Sequence, residues 1–253
     1  MDLQKFLANT GKRRIIVISG AGLSAESGIS TFRYDEDALW ENTNVNHVCN
    51  IANLSTHYFK VHSFYNTLRV NLGDKEPNAA HYAIAELEAI YGDEKFLHIT
   101  TNVDDLYERA GGTAMHLHGN LLEVVEDYSL ADNAYNVIDV GYTPYAPKEG
   151  VFAKPNIVMF GESERYVDGK RIPLYEDRNK VLASLTELDT VIVIGTSDLV
   201  IQWSGMVGMS PAYTYTINIR KNENDWMYTE KIYKPATQAI QTIIDDVKLR
   251  MGL

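Results

Sequence analysis

What this chain of 253 residues lacks narrows its possible functions. Cys49 is the only cysteine, so an internal disulfide and a cysteine-based zinc site are both excluded within one chain. Lys and Arg number 23 against 34 Asp and Glu, which gives a net charge of -11. Nucleic acids and anionic membranes require a basic surface, so neither is an expected partner. No apolar stretch approaches the length of a membrane span, and the first residues lack the apolar core of a signal peptide, so a cytoplasmic location is expected.

The most distinctive stretch covers residues 14–33 and reads RIIVISGAGLSAESGISTFR. Its four consecutive β-branched residues, 15–18, are typical of a strand buried on both faces of a parallel sheet. Gly20, Gly22 and Ala25 follow as G-x-G-x-x-A. This pattern favours a tight turn that brings backbone close to a diphosphate at a helix N-terminus. Taken alone, the pattern fits an ordinary tight turn between strand and helix equally well.

The rest of the chain alternates strands with helices. Apolar runs predict strands at 96–100, 115–117, 157–160, 190–194 and 213–219, and helical spacing predicts helices at 57–72, 77–91, 103–110, 174–188 and 236–250. This alternation predicts an α/β fold, a Rossmann-type parallel sheet with helices on both faces. We expect a discontinuous nucleotide-binding domain of residues 1–119 and 154–253, with a flexible loop at 33–55. Residues 120–153 read as a small β-rich insertion.

Small or polar residues follow several predicted strands, at the edge where such sheets bind ligands. They are Gly20 to Gly22, Thr100 to Asp104, His118, Gly195 to Ser197, and Asn218. The glycines and Ser197 suit phosphates, Asn218 suits a ribose or adenine, and Asn102 and Asp104 suit an amide or sugar. Arg33 suits a pyrophosphate, and His118 suits a general base. Structural roles stay open for three of these residues. His118 could be a structural hydrogen-bonding residue, Arg33 a salt-bridged surface residue, and Asp104 a cap of a helix.

A metal site is not expected from the histidines. His116 and His118 alternate along a predicted strand, so both side chains share one face as possible ligands. No third ligand stands at a suitable spacing, so we predict that the chain binds no metal.

Five motifs together resemble one family. GAGLSAESGISTFR (20–33), TTNVDDLYERAG (100–111), LHGN (117–120), KPNIVMFGE (154–162) and GTS (195–197) have the order and spacing of the sirtuins, the NAD-dependent protein lysine deacylases. The resemblance covers nearly the whole chain.

The resemblance implies NAD as cofactor and an acyl-lysine protein or peptide as substrate. In the family, the acyl oxygen attacks C1′ of the nicotinamide ribose, and a histidine then takes a proton from the ribose hydroxyls, so that free lysine and 2′-O-acyl-ADP-ribose form. The implied catalytic residues are His118 and Asn102. The implied NAD-binding residues are Gly20, Ala21, Gly22, Ser24, Phe32, Arg33, Thr101, Asn102, Val103, Asp104, Gly195, Thr196, Ser197 and Asn218. The implied substrate-binding residues are Tyr65, Val158, Phe160, Gly161 and Glu162.

The chain departs from the family pattern at several points. Ser30-Thr31 replaces Pro-Asp, Thr101 replaces the glutamine of TQN, and GTSDLVIQWSG replaces the usual loop after GTS. The four zinc cysteines expected between His118 and Phe160 are absent, so the insertion is expected to hold together by packing alone. In the branch that removes acidic acyl groups, a Tyr-x-x-Arg pair binds the acyl carboxylate. Here Tyr65 is followed by Leu68, and Arg69 lies about 100° away around the helix.

These departures leave three functions open. The first is lysine deacylation by a monomer, with uncharged acyl groups preferred over succinyl because of Leu68. The second is NAD glycohydrolase or ADP-ribosyltransferase activity, favoured by the TTN form and the missing zinc. The third is an NAD-binding sensor with weak catalysis, which the presence of both His118 and Asn102 disfavours.

Overall fold

A computed structural model describes residues 2–29, 48–127, 136–162 and 171–252. The strands of the main sheet are β1 (Ile15–Ser19), β2 (Phe96–Thr100), β3 (Ala114–His116), β7 (Thr190–Ile194), β8 (Tyr213–Asn218) and β9 (Glu230–Tyr233). They lie in the order β3-β2-β1-β7-β8-β9, and every pair is parallel. The strand order therefore reverses between β1 and β7, which is where ligands of such sheets bind.

Helices cover both faces of this sheet, as the alternating pattern predicts. They are α1 (Leu3–Ala8), α2 (Tyr58–Gly73), α3 (Ala79–Tyr91), α4 (Leu106–Arg109), α5 (Arg171–Ala183), α6 (Trp203–Val207) and α7 (Ala236–Met251). Ile15 and Val17 pack with α3 and α7, while Ile16 and Ile18 pack with α1 and α6 on the other face. β1 is buried along its whole length because each face carries its own core. None of the helices in the described ranges is long and apolar enough to cross a membrane.

Three sequence predictions of local structure need correction. The G-x-G-x-x-A turn leads into two short 3-10 helices, Ala21–Leu23 and Ala25–Ser27, and not into an α-helix with a free N-terminus. The strand predicted at 157–160 lies earlier, at Lys154–Ile157. Strand β9 was not predicted, because its sequence EKIY is mostly exposed at the sheet edge and carries little apolar signal.

A buried ion pair joins the amino ends of β1 and β7. Arg14 and Asp189 are both fully buried, and Arg14 donates to the two Asp189 oxygens at 2.8 and 2.9 Å. The guanidinium also donates to Thr10 Oγ1 and to the Ser184 carbonyl, so its remaining hydrogens are satisfied. This pair joins the two central strands at the end of the sheet that is opposite to the site described below.

A second, antiparallel sheet follows β3. It contains β4 (Gly119–Glu126), β5 (Asn136–Asp139) and β6 (Lys154–Ile157) in the order β5-β4-β6. Helix α2 packs against it through a shared core that includes Val61, Tyr65 and Leu121. Tyr145 is buried in this unit and Tyr142 is partly exposed, whereas Tyr128 and Tyr135 lie outside the described residues.

Helix α2 also binds the backbone of this unit through a stripe of polar side chains. Tyr58 accepts from the Ala153 N–H at 2.9 Å, and His62 Nε2 lies 3.1 Å from the Ala153 carbonyl. One turn further on, Asn66 binds both the N–H and the carbonyl of Tyr145, at 2.9 and 2.8 Å. These residues recur every four positions and so share one helix face. The expectation that packing alone replaces the zinc is therefore incomplete, because hydrogen bonds from α2 contribute as well.

Candidate functional site

The first part of the site is a contact between two backbone loops at the reversal point. Gly22 N–H donates to the Gly195 carbonyl at 2.8 Å, and Gly20 N–H donates to the Ile194 carbonyl at 2.9 Å. A Cβ on Gly22 would lie 2.6 Å from Gly195 Cα, and one on Gly20 would lie 2.8 Å from the Gly195 oxygen. Both glycines are therefore required by the contact between the loops after β1 and β7. Their N–H groups are engaged within the protein, whereas the sequence pattern suggested that they serve a diphosphate.

Gly195 completes this contact from the β7 side. Its φ is +66°, and a Cβ there would lie 2.4 Å from Leu23 N and 2.5 Å from Gly22 C. We expect Gly195→Ala to lower the free energy of unfolding by about 2–5 kcal/mol, since it combines left-handed backbone strain with overpacking.

Gly205→Ala is the matched control, because a Cβ at Gly205 meets no atom within 4 Å and the residue lies in helix α6. Urea unfolding is expected to show the control unchanged or slightly more stable. An equally stable Gly195→Ala variant would contradict the tight contact between the two loops.

Asn102, on the loop after β2, is held at three points. Its N–H donates to Thr100 Oγ1 at 3.0 Å, its carbonyl lies 2.8 Å from His116 Nδ1, and its Nδ2 donates to Ser24 Oγ at 3.1 Å. Its Oδ1 is buried and has no hydrogen-bond partner in the structure. A buried acceptor without a partner is costly, so this oxygen is the atom of the site best placed to receive a ligand hydroxyl or N–H.

Ser24 and Asp104 lie beneath Asn102. Ser24 is fully buried, and its hydroxyl also lies 3.4 Å from His81 Nε2. Asp104 is 8% exposed and accepts from Leu106 N–H at 3.2 Å, the capping role that the sequence left open. Burial raises the pKa of the Asp104 carboxyl, although hydrogen bonds from Ser24 and Leu106 oppose the shift. The space among these side chains is a cavity of only about 10 Å³, so they form a supporting network below the site.

The neighbouring predicted residues are mostly engaged within the protein. Thr101 N–H donates to the Ser19 carbonyl at 3.0 Å, and Val103 carbonyl accepts from Leu121 N–H at 2.8 Å. Thr196 carbonyl accepts from Asn218 Nδ2 at 2.6 Å, and Asn218 Oδ1 accepts from Ile219 N–H at 3.0 Å. The Asn218 side chain therefore fixes the loop after β7. Ala21 and Ser197 lie half-buried on the same two loops as Gly20 and Gly195.

His118 lies at the turn between β3 and β4, beside the segment 158–162. Its carbonyl accepts from Val158 N–H at 3.0 Å. Phe160 N–H donates to the Cys49 carbonyl at 2.8 Å, and the Phe160 carbonyl accepts from Ile51 N–H at 3.0 Å. Phe160 remains 40% exposed, and Gly161 follows with a φ of +76°. The structure thus brings His118 and the predicted substrate segment together through the main chain.

Glu162 and Tyr65 point into the protein. Glu162 pairs with Lys154 at 2.7 Å, where both side chains are nearly inaccessible, and it accepts from Met159 N–H at 2.9 Å. Tyr65 is 3% exposed, and its hydroxyl shares a hydrogen bond with Cys49. Burial raises the pKa of the Cys49 thiol to about 11, so the thiol stays protonated near neutral pH. Phe32 and Arg33 lie outside the described residues.

Two residues of this region have importance that the sequence motifs did not indicate. His116 binds the Asn102 carbonyl, and Lys154 neutralises Glu162. Lys154 and Glu162 lie within one sequence motif, and this proximity was the signal from which their pairing could have been predicted. His116 offered none, because its contacts depend on the parallel pairing of β2 and β3.

A larger groove of about 520 Å³ lies elsewhere, between α2 and residues 144–147. None of the predicted site residues lines it. Within the described residues, no group of three or more His, Cys, Asp or Glu side chains is arranged to hold a metal ion.

Loops that meet at the reversal point of a parallel sheet form the usual ligand site of α/β proteins, including those that bind dinucleotides. The family model of the Sir2 family matches residues 20–202, and this chain belongs to that family. It is 33% identical to an NAD-dependent protein deacylase of Helicobacter hepaticus, over 93% of this chain and 97% of that protein. It is 35% identical to an NAD-dependent protein deacylase of Escherichia coli K12, over 96% of this chain and 84% of that protein.

Solved structures agree with this assignment. A Sir2 homologue in complex with NAD superposes with a TM-score of 0.76 at 28% identity, covering 100% of this chain and 96% of that one. A Sir2 homologue in complex with ADP-ribose gives a TM-score of 0.77 at 27% identity, covering 100% and 99%. The predicted Rossmann-type fold with a small additional β-rich unit is confirmed.

Proposed function

We propose that this protein is an NAD-dependent protein deacylase that removes acyl groups from lysine side chains. The observation that carries the proposal is the placement of Asn102. Three of its groups are held by the protein and only Oδ1 is left as a buried acceptor, on a loop at the reversal point of the sheet. Relatives that align with more than nine-tenths of the chain are NAD-dependent protein deacylases.

The residues at the reversal point fit NAD. The loops at Gly20 to Gly22 and Gly195 to Ser197 carry only small side chains beside the strand ends, and Asn102 Oδ1 supplies an acceptor for a ribose hydroxyl or a carboxamide. When bound, NAD would supply the ribose carbon that the acyl oxygen attacks, with nicotinamide as the leaving group. In this proposal Asn102 orients the ribose and Asp104 supports Asn102 through Ser24. The resemblance to the family also assigns NAD contacts to Phe32 and Arg33, which lie outside the described residues.

His118 is the proposed general base. Its position beside Val158 places it next to the segment that we propose as the wall of the acyl-lysine tunnel, with Val158, Phe160 and Gly161 as the contacting residues. Glu162 acts through Lys154, because the ion pair orders this segment from within. The proposed enzyme is a cytoplasmic monomer.

The acyl pocket is proposed to favour uncharged groups. Leu68 packs against the core that contains Tyr65, and the buried Arg69 side chain is bound within the protein, with its Nε 2.8 Å from the Leu121 carbonyl and its Nη1 2.6 Å from Asn66 Oδ1. An acyl carboxylate would thus be desolvated without a cation. We expect acetyl- or long-chain acyl-lysine peptides to react at least about tenfold faster than succinyl-lysine peptides, a factor that 1.4 kcal/mol supplies.

The test is nicotinamide release from NAD, with and without acetyl-, succinyl- and long-chain acyl-lysine peptides. Release that depends on an acylated peptide supports deacylation, whereas release without peptide would replace it with NAD glycohydrolase activity. Binding of NAD without release of nicotinamide would instead support an NAD-binding sensor. Leu68→Arg is expected to raise activity on the succinyl peptide, with Val70→Arg as the matched control at an exposed position of the same helix. A wild-type preference for succinyl peptides would contradict the uncharged pocket.

A further inference from the structure

We propose that His116, in its doubly protonated form, is a positioning residue that fixes the Asn102 carbonyl and thereby the orientation of Asn102 in the site. The inference rests on the proposed function, since it concerns the placement of a residue that the proposed reaction uses. His116 lies at the end of β3, two residues before His118, and β3 pairs with β2 so that His116 stands beside Thr100. The sequence assigned it no role beyond an unsupported metal site.

The hydrogen-bond partners define the protonation state of His116. Its Nδ1 lies 2.8 Å from the Asn102 carbonyl, and its Nε2 lies 3.1 Å from Glu108 Oε1. A main-chain carbonyl and a carboxylate are both acceptors. Each ring nitrogen must therefore donate, and only the imidazolium carries hydrogens on both.

The charged groups around His116 agree with this geometry. Glu108 on α4 is its direct partner, Asp104 faces it from the loop after β2, and His98 and His81 belong to β2 and α3. Burial alone would lower the pKa of His116, but the hydrogen bond and charge of Glu108 outweigh burial and raise it above 6.5. Burial lowers the pKa of His81 to about 4 and that of His98 well below 6.5, so both stay neutral. Of these three histidines, His116 is the one whose pKa is raised, so it keeps its charge to a higher pH than His81 and His98 do.

Because His116 can lose its proton, the hydrogen bond that positions Asn102 depends on pH. Because the pKa of His116 is raised in the folded protein, the imidazolium and its bond to Asn102 are present at low pH and are lost as the pH rises through that pKa. The proposed base His118 behaves in the opposite sense, since it must be neutral to accept a proton. The activity of the wild-type protein should therefore fall at alkaline pH through His116 and at acidic pH through His118.

The test compares three variants by their kcat, KM for NAD and pH profile. Glu108→Gln keeps an acceptor for the Ala114 N–H but removes the charge. The alkaline limb of the pH profile, where activity falls as the pH rises, is therefore expected to move down by about one pH unit. His116→Gln is expected to lose that limb and to lower kcat by about 10- to 100-fold through misplacement of Asn102. Glu86→Gln is the matched control, since Glu86 is an exposed glutamate that pairs with Lys248. Its pH profile is expected to equal that of the wild type.

A second readout does not depend on activity. Nitrogen-15 NMR of the wild-type protein is expected to show hydrogens on both ring nitrogens of His116 at neutral pH. The Glu108→Gln variant is expected to lose one of these two hydrogens at a lower pH than the wild-type protein does. A wild-type protein that releases no nicotinamide would overturn the proposed function, while the NMR result would still report on His116. An active wild type whose His116 is singly protonated at neutral pH, or whose alkaline limb survives in His116→Gln, would overturn this inference. If His116→Gln does not fold, Glu108→Gln decides the question.

Discussion

Alanine in place of His118 is expected to lower kcat/KM for deacylation by about 10²–10⁴, the usual contribution of a general base. His118 is the proposed acceptor of the ribose hydroxyl proton, since Asn102 is an amide, Glu162 is paired with Lys154, and the Asp104 carboxyl is bound by Ser24 and Leu106. NAD affinity should stay essentially unchanged, because the proposed NAD contacts come from the loops after β1, β2 and β7. Steady-state kinetics with an acetyl-lysine peptide and calorimetry with NAD measure the two quantities.

His57→Ala serves as the matched control, because His57 is half-buried at the start of α2 and has no assigned role. It should retain both activity and NAD binding. Loss of NAD binding in His118→Ala would mean that this histidine belongs to the cofactor site. Full activity in His118→Ala would remove it from the mechanism.

Glu162→Gln is expected to lower the free energy of unfolding by about 3–5 kcal/mol, the cost of breaking a buried ion pair. The side chains of Lys154 and Glu162 are 2% and 1% exposed, and Lys154 Nζ donates to both Glu162 oxygens and to the Ile157 carbonyl. Without the carboxylate, the ammonium group would remain buried and unneutralised. Because the pair closes the segment that holds Val158 and Phe160, KM for the peptide should rise as well.

A double-mutant cycle isolates the charge effect. Lys154→Met removes the ammonium, and the combination Lys154→Met with Glu162→Gln leaves no buried charge, so the double variant should recover most of the stability that Glu162→Gln loses. Urea unfolding of the four proteins gives the coupling free energy. Additive losses, with no recovery in the double variant, would show that the two side chains contribute separately.

The sequence predicted the buried strands well because their chemistry is local. The runs at 96–100 and 190–194 match β2 and β7 residue for residue, since strands that are buried on both faces leave a mostly apolar run in the sequence. Strand β9 gave no such signal, because an exposed edge strand needs no apolar pattern. In place of the helix predicted after Gly20 to Gly22, the structure has two 3-10 helices, and the first of them lies in close contact with Gly195.

For the site, the motifs identified the residue types but not their contacts. Asn102 and His118 were named from the pattern around them, and the structure places Asn102 at the reversal point and His118 beside Val158. Glu162 was named as a substrate contact, whereas its carboxylate is bound by Lys154. A carboxylate at a given position looks the same in sequence whether its partner is a substrate or a buried lysine, so only the packed structure distinguishes the two.

The sequence by itself determined the Sir2-type order of motifs, the parallel sheet and the absence of zinc cysteines, because strand patterns and residue identities are properties of the chain. Tertiary structure alone decided that Gly20, Gly22 and Gly195 interlock, that helix α2 holds the small sheet, and that His116 binds the Asn102 carbonyl. Each of these contacts joins residues that are far apart in the chain or on neighbouring strands. Their formation depends on how strands pair and helices pack, which no local pattern records.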